Sequence, residues 1–216
     1  MIVSDEKKSL GLVISGINYI YDANGFIKQK DPKPFEYSLD YKSHQSTNTA
    51  MVWLRLGWLS SILPFSKMKT MNAVDIGAGN GSFVREAASV FKRIVPYDLA
   101  GESIDDIELY ETNWDLIVLS DVLEHYKDIN DLWGLNFKYA MISFPETPDE
   151  NKYDLSRWRH FKPNEHIYLL RLSQVIPWIN EHGCTVEKFG NPEDMIRKRW
   201  DENMPNISTV LIKKDM

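Results

Sequence analysis

An α/β fold, with a mostly parallel sheet and helices on both faces, is predicted by three observations. An apolar run, Val74-Asp75-Ile76, stops at glycines 77, 79 and 81 and leads into a helical stretch. From residue 71 onward, strand-like and helix-like segments alternate, the pattern of βαβ units. A second apolar strand, Arg93 to Tyr97, delivers Asp98 about twenty residues beyond the glycine turn, the spacing of an acid that meets a ribose diol in nucleotide-binding α/β domains. Glycine lets backbone approach a ligand where a Cβ would clash. The N–H groups opening the next helix then face that ligand.

Each element follows from periodicity and punctuation. Residues 11–30 read as a β-hairpin: Leu12 to Tyr21 is rich in β-branched and aromatic residues, Asp22-Ala23-Asn24-Gly25 is a turn, and Phe26-Ile27 resumes. Asp31-Pro32-Lys33-Pro34 breaks the chain, and Thr47 to Leu63 has helical spacing that ends before Pro64. Strands are expected at 72–76, 93–98, 115–120, 139–144, 184–189 and 207–213, and helices at 82–91, 128–137 and 168–182. Within the last of these Ser173 is expected to restart the helix as an N-cap, which places Pro177 about one turn in, and Gly183 is its stop. Residues 99–114 are too few for a full helix plus a full strand, so the third strand or its helix is shortened. Pro96 is expected to interrupt pairing near the end of its strand. Residues 1–46 thus form an N-terminal extension and 47–216 one domain, with 145–166 as a loop insertion.

A formal charge of −6 argues against a general nucleic-acid backbone binder, which needs a broad basic face. Two local basic clusters remain, Arg157, Arg159, Lys162 and Arg197, Lys198, Arg199, each more readily read as solvated surface. A single Cys184 excludes an intramolecular disulfide and a multi-cysteine zinc site, making a reducing cytoplasm the expected compartment. The charged start, Met1 to Lys8, has no long apolar run after it, so neither a secretory signal nor a membrane span is expected. The oligomeric state stays open. The five histidines, 44, 125, 160, 166 and 182, show no recognisable metal-ligand spacing, and no metal is expected.

Asp75, two residues before the first glycine, sharpens the reading of the turn. Nicotinamide fingerprints need no acid there and prefer G-x-G-x-x-G. An acid suits a ligand with a cationic amino-acid end, which points to S-adenosylmethionine. Residues 74–81 resemble the first motif of class I methyltransferases, hhDhGxGxG, at every position. The resemblance implies a Rossmann-like class I methyltransferase fold with a seven-stranded sheet. It also implies cofactor contacts from Asp75, Gly77, Gly79, Asn80 and Gly81, and supports a ribose role for Asp98 over simple capping of the next turn.

Asp115 to His125, D-L-I-V-L-S-D-V-L-E-H, is similar to the D-hhh-x-x-x-L-E-H block of the group that includes ubiquinone-pathway O-methyltransferases and nucleotide-sugar methyltransferases. That likeness places Ser120 and Asp121 beside the methionine and ribose portions of the cofactor, and Glu124 and His125 near the transferable methyl. His125 is equally readable as a structural histidine. Upstream, W-L-R-L-G-W-L at 53–59 resembles the P-L-R-L-G-Y-I helix of the ubiquinone-pathway enzymes, which implies that Arg55 reaches the cofactor carboxylate; the alternative is an arginine laid along the helix surface. The loop after residue 144 ends in W-x-H-x-x-P-x-E-H, similar to a bacterial and phage-borne methyltransferase subfamily. Trp158, Arg159, His160 and Glu165 are its expected substrate contacts. His166, His125 and Glu124 are the expected catalytic groups, with histidine as the base an acceptor hydroxyl requires.

These features together predict methyl transfer from S-adenosylmethionine, with S-adenosylhomocysteine as product, to a small polar, sugar-like acceptor. A non-catalytic S-adenosylmethionine-binding module and, less favoured, an NAD-dependent oxidoreductase are the competing readings.

Overall fold

The structure is a computed structural model that describes residues 11–35, 49–99, 104–199 and 204–215. Its main sheet has six strands in the order β5 (Arg93–Tyr97), β4 (Asn72–Ile76), β6 (Trp114–Ser120), β7 (Phe137–Pro145), β10 (Ile207–Lys214), β9 (Cys184–Gly190). The β5–β4, β4–β6 and β6–β7 pairs are parallel, whereas β10 runs antiparallel to both β7 and β9. The seven strands implied by the resemblance are therefore six among the described residues. The third is missing because the chain passes from β5 to the short helix α4 (Asp106–Glu111) and then into β6; residues 100–103 lie outside the description. This leaves β5 at the sheet edge, and Pro96 does not interrupt it. Pairing with β4 continues through Asp75↔Pro96 to Ile76↔Tyr97. The Pro96 carbonyl instead accepts from Ile104 N–H, so the side of Pro96 that lacks an N–H faces away from β4.

Strand alternation divides the core between the two faces. In β6, Leu116 and Val118 pack with Val52, Leu56 and Leu59 of helix α1 (Thr49–Ser60). Ile117 and Leu119 pack on the other face with Val175, Trp178 and Ile179 of helix α5 (Leu172–Glu181). Arg55 falls on the same buried stripe of α1 as Val52, Leu56 and Leu59, the i, i+3, i+4, i+7 positions of one helical face. Helix α2 (Phe65–Met68) leads into β4, and helix α3 (Ser82–Ala87) follows the glycine turn.

Two expected helices change. Residues 128–137 form a 3₁₀ helix, Ile129–Gly134, and then enter β7; the buried pair Ile129 and Leu132 is spaced three apart, which suits three residues per turn. Helix α5 begins at Leu172 and is capped from outside by Glu146, whose carboxylate accepts from Leu172 N–H at 3.1 Å, so Ser173 is not its cap. Gly183 ends it at φ +69° as expected. No helix among the described residues is long and apolar enough to cross a membrane.

The N-terminal segment is a three-stranded meander rather than one hairpin. Ser15 (φ 50°) and Gly16 (φ 78°) form a two-residue turn of the mirror-image type favoured in hairpins, which splits 12–21 into β1 (Leu12–Ile14) and β2 (Ile17–Tyr21). The expected turn at 22–25 holds, with Asp22 Oδ1 accepting from Asn24 and Phe26 N–H at 2.9 Å, and returns the chain as β3 (Ile27–Gln29). β3 then pairs with β8 (Tyr168–Leu169), at the end of the loop that follows β7. Ile14, Tyr19 and Ile27 share a core with Leu155, Trp158 and Leu169, which joins the N-terminal extension to the 145–166 loop.

Candidate active site

A cavity of about 420 Å³ opens at the carboxyl ends of β4 and β6, where ligands bind in open α/β sheets. One wall is the glycine turn. Gly77 adopts φ +70°, and a Cβ there would stand 2.4 Å from Val122 Cγ2, so only glycine fits. Gly81, also at φ +70°, precedes α3, while Asn80 Oδ1 accepts from Ser82 N–H at 3.0 Å to close the turn. Asp98 braces the same loop by accepting from Gly79 N–H at 2.8 Å, a contact closer to the capping reading than to an open ribose site. Asp75 lines the cavity but is buried. Burial pushes its carboxyl up to about 7, with Arg55 opposing the shift and Asp98 adding to it.

Arg55 also lines the cavity, and its Nε donates to Glu193 Oε1 at 2.7 Å with both side chains buried. Glu193 Oε2 lies 2.9 Å from Arg197 Nε, and Arg197 Nη2 reaches Asp121 Oδ2 at 2.5 Å. Glu193 and Arg197 flank and belong to the short helix α6 (Asp194–Arg197) in the β9–β10 connection. Burial opposes the charge on Arg197, but Asp121 and Glu193 outweigh it and push its pKa up. Burial likewise acts to raise Asp121, and Arg197 and Arg55 outweigh it, so the carboxyl is held below its ordinary value. Asp121 sits at φ +54°, a conformation side chains rarely adopt. Beside the cavity its Oδ1 and the Ser120 Oγ are buried with no hydrogen-bond partner among the described residues. Unsatisfied polar atoms there, and a turn closed to any Cβ, fit a polar ligand such as the aminoacyl nucleoside cofactor.

The same cavity is lined by His125, His160 and His166, with Lys162, Glu165 and Pro145. His125 and His166 meet edge to face at 4.8 Å between ring centres, and His160 is parallel to His166 at 6.4 Å. Burial pushes His166 down to about 2, with His125, Lys162 and His160 adding to it; burial also lowers His125 and His160. All three rings are thus neutral near pH 7. Lys162 Nζ donates to Glu165 Oε1 at 3.0 Å, and His166 Nε2 lies 3.7 Å from the same oxygen.

Glu124 does not line the cavity. It is buried beside His125, whose Nε2 lies 3.8 Å from Oε1, and among the described residues neither carboxylate oxygen has a hydrogen-bond partner. Burial, and then Asp121, raises its carboxyl well above the ordinary value. Glu124, His125 and His166 each bring one potential ligand atom within 4.8 Å of the others, a grouping that could hold a cation. No spacing pattern reveals it, because His166 comes from a different loop.

Two expected substrate contacts are elsewhere. Trp158 is 3% exposed, packed into the core of the small sheet, and meets the site at the ring of His160. Arg159 is exposed on the rim, donating to Asn206 Oδ1 at 3.1 Å and to the Arg197 carbonyl. Arg157, 86% exposed, faces Asp154. Of that basic cluster only Lys162 lines the cavity, whereas Arg197 enters it from a cluster more readily read as surface. Glu193 carried no signal in the sequence.

The sheet, the glycine turn and the acid-rich strand ends define an α/β domain that binds a nucleoside cofactor. Residues 53–188 match the methyltransferase domain family, and the chain belongs to that family. Its fold is similar to solved S-adenosylmethionine-dependent methyltransferases from Mesorhizobium loti (15% identity, TM-score 0.55, covering 82% of this chain and 100% of that one) and Archaeoglobus fulgidus (15%, 0.55, 83% and 100%). A third, from Clostridium acetobutylicum, shares 12% identity at a TM-score of 0.55, covering 82% and 95%. No curated protein matches the chain. The protein is a methyltransferase, and solved S-adenosylmethionine-dependent enzymes share its fold.

Proposed function

We propose that the protein methylates a hydroxyl of a small polar, sugar-like acceptor seated between the glycine turn and the 145–166 loop. The observation that carries this reading is the pair of neutral imidazoles, His125 and His166, edge to face in the cavity that the glycine turn also lines. The cofactor, held by Asp75, Gly77, Gly79, Asn80, Gly81, Asp98, Ser120, Asp121 and Arg55, supplies a methyl carbon on a positively charged sulfur that is a good leaving group.

The chain's own work is to hold the acceptor oxygen in line with that carbon and to accept its proton. A neutral imidazole has a free lone pair for the proton. One histidine takes it while the other orients the acceptor, and Glu165, beside His166, stabilises the cation that results. Glu124, beside His125, supports that ring. His160, Lys162 and Glu165 are the acceptor contacts. The mostly polar wall and the acidic chain favour a small hydroxylated molecule over nucleic acid.

Single replacement of His125 or His166 by Gln tests the assignment, with cofactor binding and methyl transfer to a panel of sugars, nucleotide sugars and phenols measured separately. The base variant is expected to lose turnover on the order of 10²-fold or more with binding retained. Near-normal turnover in both would make the histidines structural. Turnover lost to a chelator and restored by a divalent cation would assign Glu124, His125 and His166 to a metal instead. Methyl incorporation into RNA or DNA would overturn the acceptor class.

A further inference from the structure

We infer that Glu193 is a positioning residue for the cofactor's amino-acid end. It clamps the Nε edge of Arg55 so that the outer edge of the guanidinium faces the cavity. The inference rests on the proposed role of Arg55 at the cofactor carboxylate.

Arg55 projects from the buried stripe of α1, where a guanidinium without a partner is strongly unfavourable. Glu193, with no exposed side-chain surface, meets that need from 138 residues away, at 2.7 Å. A guanidinium has five donors in a planar fork, and the Nε edge is the one Glu193 occupies. The Nη groups stay available to a second carboxylate in bidentate geometry. The second Glu193 oxygen faces Arg197, which is itself held by Asp121, so the charges alternate from Arg55 through Glu193 and Arg197 to Asp121. This balance leaves Glu193 neutralised on its far side and reduces its repulsion of an incoming carboxylate. It also joins the cofactor wall to the β9–β10 connection, fixing a long side chain that would otherwise sample many rotamers.

The test compares S-adenosylhomocysteine with 5′-methylthioadenosine, which has the same thioether nucleoside but no amino-acid end, by calorimetry on the full chain. Glu193→Ala is expected to weaken S-adenosylhomocysteine about tenfold, the scale of one lost charged contact, and to leave methylthioadenosine within about twofold. Glu193→Gln keeps an acceptor oxygen of the same reach for Arg55 Nε and is expected to retain binding within about threefold, a rescue that loss of charge alone would not give. Arg55→Ala should remove the preference for the longer ligand, with Glu193→Ala adding nothing further. Equal loss on both probes, no loss, or a gain in S-adenosylhomocysteine affinity would overturn the inference. So would a wild-type chain that binds both probes equally. If Glu193→Ala does not fold, failure of Glu193→Gln to hold the preference overturns it as well. A wild-type chain that binds neither probe would overturn the cofactor reading itself, a different result from any of these.

Discussion

The two walls of the cavity are built in different ways. The cofactor wall comes from strand ends and one turn: β4, the glycines at 77–81 and the end of β6 are locked by parallel pairing from Ala73↔Leu116 to Ile76↔Leu119. The other wall, the one proposed for the acceptor, comes from His125 just after β6 and from His160 to His166 on a long loop held by the N-terminal meander. Backbone hydrogen bonds place the first wall, and remote side-chain contacts place the second. The difference teaches that cofactor affinity and acceptor handling should fail separately when the chain is altered.

The largest expected break in that separation is at Trp158. Trp158→Ala, in the core shared by the meander and the loop, should cost about 3–5 kcal/mol of stability. Trp158→Phe should cost much less, because the indole Nε1 has no hydrogen-bond partner to lose. Denaturant midpoints measure both. Binding of S-adenosylhomocysteine by the folded fraction should persist, and an equal loss of affinity in both variants would show that the walls are one unit.

Asp98 sharpens the cofactor side. Asp98→Ala should weaken cofactor binding by about 1–3 kcal/mol through loss of a charged acceptor. Asp98→Asn keeps an oxygen for Gly79 N–H. Full rescue by Asn would make Asp98 a brace of the turn, while a residual loss would leave it a ribose contact; unchanged affinity in both removes it from the site.

The smallest effect separates the walls by pH. His125, His160 and His166 are buried with lowered pKa, so the unfolded chain takes up protons that the folded acceptor wall refuses. Their contribution to stability is full above the unfolded value of about 6.5 and declines as pH falls below it. Asp75 acts in the opposite sense: its raised pKa stabilises the fold below the unfolded value near 3.8, and that contribution is lost as pH rises towards about 7. Between pH 7.5 and 5.5 the raised carboxyls of Asp75 and Glu124 oppose the histidines in both proteins, so the reading is a difference: the urea midpoint of His166→Gln should fall less, or rise more, than that of the wild type. An equal slope in the two proteins would mean that His166 titrates as it does in water.

Legibility followed the same divide. Strand 72–76 and the turn after it were read to the residue, since an apolar run, spaced glycines and an acid are local signals. The meander was missed because Ser15-Gly16 makes a turn as short as two residues inside a β-rich run. Trp158 was assigned to the site for being aromatic in a polar loop. In the folded chain that same apolar area is buried against Ile14, Tyr19 and Ile27.

By itself the sequence determined the α/β class, the glycine turn with Asp75 before it, and the clustering of Ser120, Asp121 and His125 at one strand end. Strand period and turn sterics act within a few residues of each of them. Only the tertiary structure decided that β10 lies between β7 and β9 and runs antiparallel to both, that Trp158 belongs to a core, and that Glu193 stands between Arg55 and Arg197. The physical reason is that a buried charge on α1 requires an opposite charge wherever the fold can supply one, and nothing near Arg55 in the chain says that it arrives from 138 residues away.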